Sequence, residues 1–452
     1  DAVVERDGEV LRARFPLLVT RWGVPDLAVP SGDYRLDVGA SHRVAVDATL
    51  PTVLHPLFRA QARAVDGMLV TRIGPPLRAD ELGPAAQRRL RLNCMRPRRR
   101  LENAVYFESF YGRTAADNPA AIDRVLARVR PDVQRYWSVG DRSVPVPPGA
   151  IPIVEYSREW WRVRAEARVY VINDWLRWTY RKRRGQRVLQ TWHGTMLKRL
   201  ALDRPGTTPR TRFATVRQGW RWNAMLAQND YSARIFRTSY AFRGPIWQTG
   251  YPRNDVFADP ARAAEVRRLL ALPESVRIVL YAPTWRDDRA GLVDYLDLVE
   301  FADALPSGYV LLVRGHSRTL GQGQDLRGDR LVDVTSYPDV AELMVVADLL
   351  VTDYSSVMFD FAATGKPMIF YTPDLDHYSD VLRGFYFDLP ADAPGPVVTT
   401  REQLLDAVRD APRAADKYAE RYAAWRAKFT PFDDGHAAER VVQRMLDERW
   451  LD

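Results

Sequence analysis

His193 lies in Gln190-Thr-Trp-His-Gly-Thr195, directly after the apolar stretch that opens at Arg187. Histidine is the side chain best suited to accept a proton near neutral pH. A histidine at the carboxyl end of a strand, followed by glycine, projects into the cleft of a parallel sheet. A second candidate is Arg314-Gly-His316 after Tyr309–Val313, where guanidinium and imidazole can donate to a phosphate oxygen. A third is Thr352-Asp-Tyr-Ser-Ser356, in which a strand, a turn with two hydroxyls and a helix start combine. Free N–H groups and the helix dipole make that an anion site, although the same serines would also serve as a plain N-cap. A fourth, Leu280-Tyr-Ala-Pro-Thr-Trp-Arg286, brings Thr284 and Arg286 to a strand end for phosphate, with Trp285 read as packing. Each has a structural reading: a satisfied buried histidine, a capping histidine beside a solvated arginine, a serine cap. For His193, the strand end and adjoining glycine favour chemistry.

Other patterns fail on spacing. Gly321-x-Gly323 lacks the third glycine of a dinucleotide fingerprint, Gly365-Lys366 runs into proline instead of a phosphate loop, and no His-Glu-x-x-His pair exists. Asp374-Leu-Asp376 has the spacing of a metal-binding pair but little specificity, so no metal and no cofactor are expected.

These residues need strands to carry them. The 452 residues suggest about three domains, and 46 % hydrophobic with 27 % charged residues is a globular balance. No apolar run reaches the ~20 residues of a membrane span. A single cysteine, Cys94, excludes an intrachain disulfide framework and fits a reducing cytoplasm. A chain opening on Asp1 is expected to be a piece of a longer protein. The net charge of +9 calls for an anionic partner without choosing it.

Residues 1–95 read as a β-rich module of unknown role, with strands at Arg12–Val19, Tyr34–Val38, His42–Ala48 and Gly67–Ile73. Seven arginines then fall between Arg88 and Arg100, read as a solvated helix face or linker, or as contact with an anionic membrane surface. Trp160, Trp161, Trp175, Trp178 and Tyr180, interleaved with arginines, belong to the core or to a lipid interface. From Ala104 onwards strands and helices alternate, the mark of doubly wound parallel sheets. The fold class is α/β: residues 96–255 and 256–432 form two facing Rossmann-like domains. In the last segment, 433–452, a helix has Ala438, Val441, Val442, Met445 and Leu446 on one stripe.

In order along the chain, Gln190-Thr-Trp-His-Gly-Thr195, Leu197-Lys-Arg-Leu200, Tyr231-Ser-Ala-Arg-Ile-Phe236 and Thr249-Gly-Tyr-Pro-Arg-Asn-Asp255 are followed by Tyr281-Ala-Pro-Thr-Trp-Arg286, Arg314-Gly-His316, Thr352-Asp-Tyr-Ser-Ser356, Arg383-Gly-Phe-Tyr-Phe-Asp388, Asp433-Asp-Gly435 and Glu439-Arg440. This series resembles the CDP-glycerol glycerophosphotransferase family, the teichoic acid glycerol-phosphate primases and polymerases. It runs from about Val105 to Met445. His436 departs from it, standing where the family pattern has lysine.

The resemblance implies a GT-B fold, with the acceptor on the first domain, a CDP-alcohol on the second and the final helix crossing back. It implies transfer of glycerol phosphate, or a related polyol phosphate, from CDP-glycerol or another CDP-polyol to a polyol-phosphate polymer or lipid-linked acceptor, with loss of CMP. The product would be a cell-wall or capsule polymer. The location implied is cytoplasmic, peripheral on the inner face of the membrane. Some members form the carboxy-terminal part of larger proteins. His193 is then the general base and His316 the second catalytic histidine. Gly194, Thr195, Lys198, Thr284, Arg286, Arg314, Asp353, Ser355 and Ser356 are the expected substrate-binding residues. Pro338, Asp339 and Glu342 would receive the nucleoside. The alternative is a nucleotide-sugar glycosyltransferase on the same fold. A polyanion-binding protein explains the charge but none of the strand-end motifs, so no nucleic-acid partner is expected.

Overall fold

Between Glu102 and Gln248, seven short runs rich in buried residues pair into one sheet. They are β1 (Glu102–Glu108), β2 (Gln134–Val139), β3 (Ile151–Val154), β4 (Ala167–Ile172), β5 (Arg187–Gln190), β6 (Ala224–Ala227) and β7 (Ile246–Gln248). All are parallel, in the order β3-β2-β1-β4-β5-β6-β7. A parallel sheet covered on both faces sends alternate residues into two cores. Tyr106, Tyr170, Val188 and Met225 enter one; Val105, Phe107, Val169, Val171 and Leu189 enter the other. The computed structural model describes residues 3–7, 10–35, 51–65, 68–94, 100–284, 296–315, 327–375 and 384–452.

The second sheet repeats the plan. Its strands are β8 (Arg277–Ala282), β9 (Tyr309–Val313), β10 (Arg327–Gly328), β11 (Leu331–Asp333), β12 (Leu349–Thr352), β13 (Met368–Tyr371) and β14 (Val397–Val398). The order is β10-β11-β9-β8-β12-β13-β14, with β10 antiparallel to its neighbour. Leu280, Leu312 and Leu350 face one core, Val279, Leu311 and Val351 the other. In both sheets the chain builds outwards from its first strand, then returns to lay the next strand on the opposite side. A crevice opens at that switch point, above the carboxyl ends of β1 and β4 and of β8 and β12. The chain is thus mixed α/β with parallel sheets.

Among the described residues before 95 the strands pair antiparallel. Leu18–Arg21 pairs with Val24–Ala28, and Gly32–Arg35, Met68–Gly74, Arg59–Val65 and Val53–Leu54 make a four-stranded sheet. The expected strand Arg12–Val19 is broken in two, ending at Arg14 and resuming at Leu18, because Pro16 has no N–H for a ladder. The expected strand His42–Ala48 lies outside the described residues. A helix at Gly83–Cys94 exposes Arg88 and Arg89 while Leu90 and Cys94 join the first core.

Two helices complete the picture. Arg401–Phe429 carries Pro412 in its interior, where proline ordinarily breaks a helix, yet the capping box of Thr400 and Gln403 and buried Leu404, Val408, Trp425 and Phe429 sustain it. Ala437–Asp447 follows the second sheet in the chain but packs Ala438, Val441, Val442 and Met445 into the core of the first. Of the aromatic stretch assigned to core or lipid, Trp160, Trp161 and Tyr180 are buried and Trp175 partly so; Trp178 alone of the five is exposed.

Candidate active site

The chain leaves β5 at Gln190 through a tightly held turn. Thr191 N–H donates to the Ile172 carbonyl at 2.7 Å, and Trp192 takes a left-handed backbone (φ 57°) with its N–H on Gln190 Oε1. A bulky residue in that region is strained, and such strain is found at functional sites. It turns His193 towards the β1/β4 switch point. There Nδ1 lies 2.6 Å from the carbonyl oxygen of Asn173, the first residue after β4. A carbonyl only accepts, so the shared hydrogen sits on Nδ1, and in the neutral ring Nε2 is the acceptor. The ring stacks on Trp192 (centroids 4.8 Å apart, near parallel) and meets Phe110 at a 60° tilt (5.4 Å).

Around this notch lies a polar cluster without a sequence motif. Asn173 Oδ1 accepts the Phe110 N–H at 2.8 Å. Glu108, the last residue of β1, is buried and accepts the Tyr106 hydroxyl at 2.5 Å. Burial, then the charge of Glu108, pushes Glu155 up to about 7 even though Arg177 pairs with it.

The β8/β12 switch point is built alike. Asp353, buried directly after β12, accepts the Thr284 N–H on both carboxylate oxygens (2.8 and 3.0 Å) and the Tyr354 N–H at 2.5 Å. That draws the loops after β8 and β12 together and leaves Ser355 and Ser356 partly exposed ahead of the helix Val357–Phe361. The α-helix is only five residues long and passes into a 3₁₀ turn at Ala362–Thr364, so its dipole is correspondingly small.

The two notches meet. A Cβ placed on Gly194 (φ 155°) would lie 2.6 Å from Ser356 Oγ, so only glycine admits this approach between the loops after β5 and β12. Behind it a buried network clasps the sheets. Arg253 donates to the His193 carbonyl (3.1 Å), to Asp117 (2.8 Å) and to Asp360 (2.5 Å) on the Val357–Phe361 helix. Burial works against the Arg253 charge, but the two carboxylates more than offset it and its pKa is raised. Asn254 and Gln228 donate to both Asp360 and Asp433, and Tyr251 N–H adds a bond to Asp433 (3.0 Å). Burial carries Asp433 up to about 7. Arg253, Asn254 and Asp433 lie in quoted motifs, but nothing in their spacing announced a clasp; Asp117 and Asp360 had no signal at all.

The remaining expected residues divide. Thr195 is buried, its hydroxyl donating to Gln228 (2.6 Å) and accepting from Asn229 (3.0 Å), so it braces the loop. Lys198 pairs as a β-bridge with Phe385 across the sheets. Arg314 spends Nη1 on the carbonyls of Val334 (3.2 Å) and Tyr337 (2.6 Å), and burial lowers its pKa to about 10. Glu342 already accepts from Arg262 and from the Tyr337 hydroxyl (2.6 Å). Asp339 caps Val340–Val346 through one oxygen, and burial, reinforced by Glu342, pushes it up to about 6. Pro338 is partly exposed beside it. Arg286, His316 and Asp376 lie outside the described residues; Asp374 accepts from the Tyr354 hydroxyl at 3.2 Å. His436 is exposed and contacts Glu439.

The sequence model of the CDP-Glycerol:Poly(glycerophosphate) glycerophosphotransferase family matches residues 90–447. The chain belongs to this family. Its relatives include the teichoic acid glycerol-phosphate transferase of Staphylococcus aureus (strain NCTC 8325 / PS 47), 36 % identical over 76 % of this chain and 93 % of that protein. The teichoic acid poly(glycerol phosphate) polymerase of Bacillus subtilis (strain 168) is 35 % identical over 76 % of this chain, which spans only 48 % of the polymerase. Among solved structures, a histidine-to-asparagine variant of the wall teichoic acid polymerase TagF, soaked with CDPG, superimposes with a TM-score of 0.72. It is 30 % identical and covers 81 % of this chain and 98 % of its own. The glycerophosphotransferase match thus takes in both sheets and both notches, and leaves out residues 1–89.

Proposed function

We propose that this glycerophosphotransferase moves glycerol phosphate from CDP-glycerol to a terminal hydroxyl of a teichoic-acid-type polymer, in a GT-B arrangement of its two sheets. The acceptor occupies the β1/β4 notch and the CDP-alcohol the β8/β12 notch. The acceptor hydroxyl attacks the β-phosphorus, its proton passes to His193 Nε2, and the bond from that phosphorus to the bridging oxygen breaks to release CMP. An alcohol ionises far above neutral pH, so proton removal during attack is the step a base must supply. The hydroxyls and N–H groups at Ser355 and Ser356 meet the diphosphate charge, and removing one such donor typically costs about 10² to 10³ in kcat. The observation carrying this reading is the approach of Gly194 to Ser356, with the His193 proton committed to the Asn173 carbonyl. His193→Ala is expected to abolish CMP release while CDP-glycerol still binds. Retained turnover removes the base assignment.

The acceptor is lipid-linked and the protein works on the inner membrane face. On the helix Pro209–Gly219 and just after it, Phe213 (63 % exposed) and Trp220 (71 %) lie among the exposed Arg210, Arg212 and Arg217. Trp178 (76 %) stands close by, since Leu176 and Gln218 hydrogen-bond mutually. Aromatics flanked by arginines suit an anionic interface. Among the described residues no helix is long and apolar enough to cross a membrane. Phe213→Glu with Trp220→Glu is expected to release the protein from sedimenting anionic vesicles; undiminished binding would reject this surface.

A further inference from the structure

The hairpin Leu18–Arg21/Val24–Ala28 pairs Arg21 with Val24, leaving Trp22-Gly23 as a two-residue turn with φ of 51° and 75°. Positive φ at both positions is the type I′ geometry, which favours asparagine or glycine at the first. Tryptophan there is a conformational outlier that something must compensate. Its indole packs edge-on against Tyr337, ring centroids 5.0 Å apart at 66°, and joins the apolar core of the second sheet. Indole Nε1 is buried with no hydrogen-bond partner among the described residues, so packing, not polarity, seats the ring. At Gly23 a Cβ would stand 2.6 Å from Leu269 Cδ2, bringing the turn's backbone onto the second lobe as well.

The rest of this segment is fastened to the first lobe. Ser31 N–H donates to Asp141 (2.7 Å), Glu81 accepts the Arg158 N–H (2.7 Å), and Gln87 links to Tyr156 and Trp161 (2.8 and 2.7 Å). The segment therefore straddles both lobes, although it lies before the family match begins. Its tip touches a residue with two duties. The Tyr337 hydroxyl holds Glu342, its carbonyl holds Arg314, and Pro338 and Asp339 follow directly.

We infer that the amino-terminal segment is a strap that fixes the nucleotide end of the donor notch, with Trp22 a positioning residue for CDP-alcohol binding acting through Tyr337. This rests on the reading that the nucleoside lies beside Pro338–Glu342. Trp22 touches no reacting atom, so its effect falls on donor affinity and spares the chemical step.

The test uses the full chain and CDP-glycerol. Trp22→Asn suits the turn better than tryptophan while deleting the indole, so folding is preserved, and an unchanged thermal midpoint checks this. The expected result is a rise in KM for CDP-glycerol of roughly three- to tenfold, the scale of one aromatic pair. Acceptor KM and kcat stay within about twofold on that same scale, and Trp22→Phe restores the donor KM. Asp339→Asn is measured alongside. A donor KM unchanged in Trp22→Asn but raised in Asp339→Asn overturns the strap and keeps the nucleotide reading. No change in either variant removes both. A loss in kcat matching the rise in KM, or no rescue by phenylalanine, shows a general structural role and also overturns it.

Discussion

The two sheets carry the same joint in different chemistry. In each, the residue directly after the fourth or matching strand reaches across the switch point to the N–H two residues past the first strand: Asn173 to Phe110, Asp353 to Thr284. The registers agree, Ile172 pairing with Glu108 and Thr352 with Ala282. On the first sheet the reaching group is a neutral amide, whose main-chain carbonyl also fixes the hydrogen of His193. On the second it is a carboxylate, its charge absorbed by N–H groups drawn inwards. In the proposed reading, one backbone notch serves either proton chemistry or anion binding, according to the side chain that closes it. A neutral closure suits a base; an anionic closure beside a diphosphate requires its charge to be spent on the loop.

The comparison holds only while the clasp keeps both notches in register. Arg253→Met strands Asp117 and Asp360 as buried charges and is expected to destabilise the protein by about 3–5 kcal/mol in urea unfolding. A change below 1 kcal/mol would show that the sheets associate without it. Asp353→Ala removes a charged acceptor of backbone N–H groups and should raise the donor KM roughly tenfold or more, leaving the acceptor KM alone. Asn173→Ala should do the reverse: kcat falls about five- to tenfold with the donor KM unchanged. If both variants hit the same parameter, the division of labour is wrong. Asp433 adds a pH dependence to the clasp. Its native pKa near 7 lies above its ordinary value of 3.8, so the folded state binds the proton more tightly. Stability from this group is full below about pH 4 and is lost as pH rises towards 7. Asp433→Asn should flatten that part of the thermal-midpoint profile; an unchanged slope would contradict the assignment.

Sequence made the strands legible because parallel strands covered on both faces are runs of Val, Leu and Ile, as at Leu349–Thr352. It made the place of His193 legible, just past the strand Arg187–Gln190 and before a glycine. Pro412 hid the Arg401–Phe429 helix, since local propensity outweighs tertiary packing when only sequence is read. Arg262, eighty positions before Glu342, gives no local sign that it holds that carboxylate. The same is true of Asp117 and Asp360, which acquire meaning only when the two sheets bring Arg253 between them. Trp22 lay in a region whose β character was readable but whose reach across the lobes was not.

The most direct measurement is single-turnover CMP release by His193→Gln, with CDP-glycerol binding followed by calorimetry in the same preparation. Release slowed by about 10² to 10⁴, with donor affinity preserved, is the outcome expected of a lost general base. Release at the parent rate with the donor bound would contradict it.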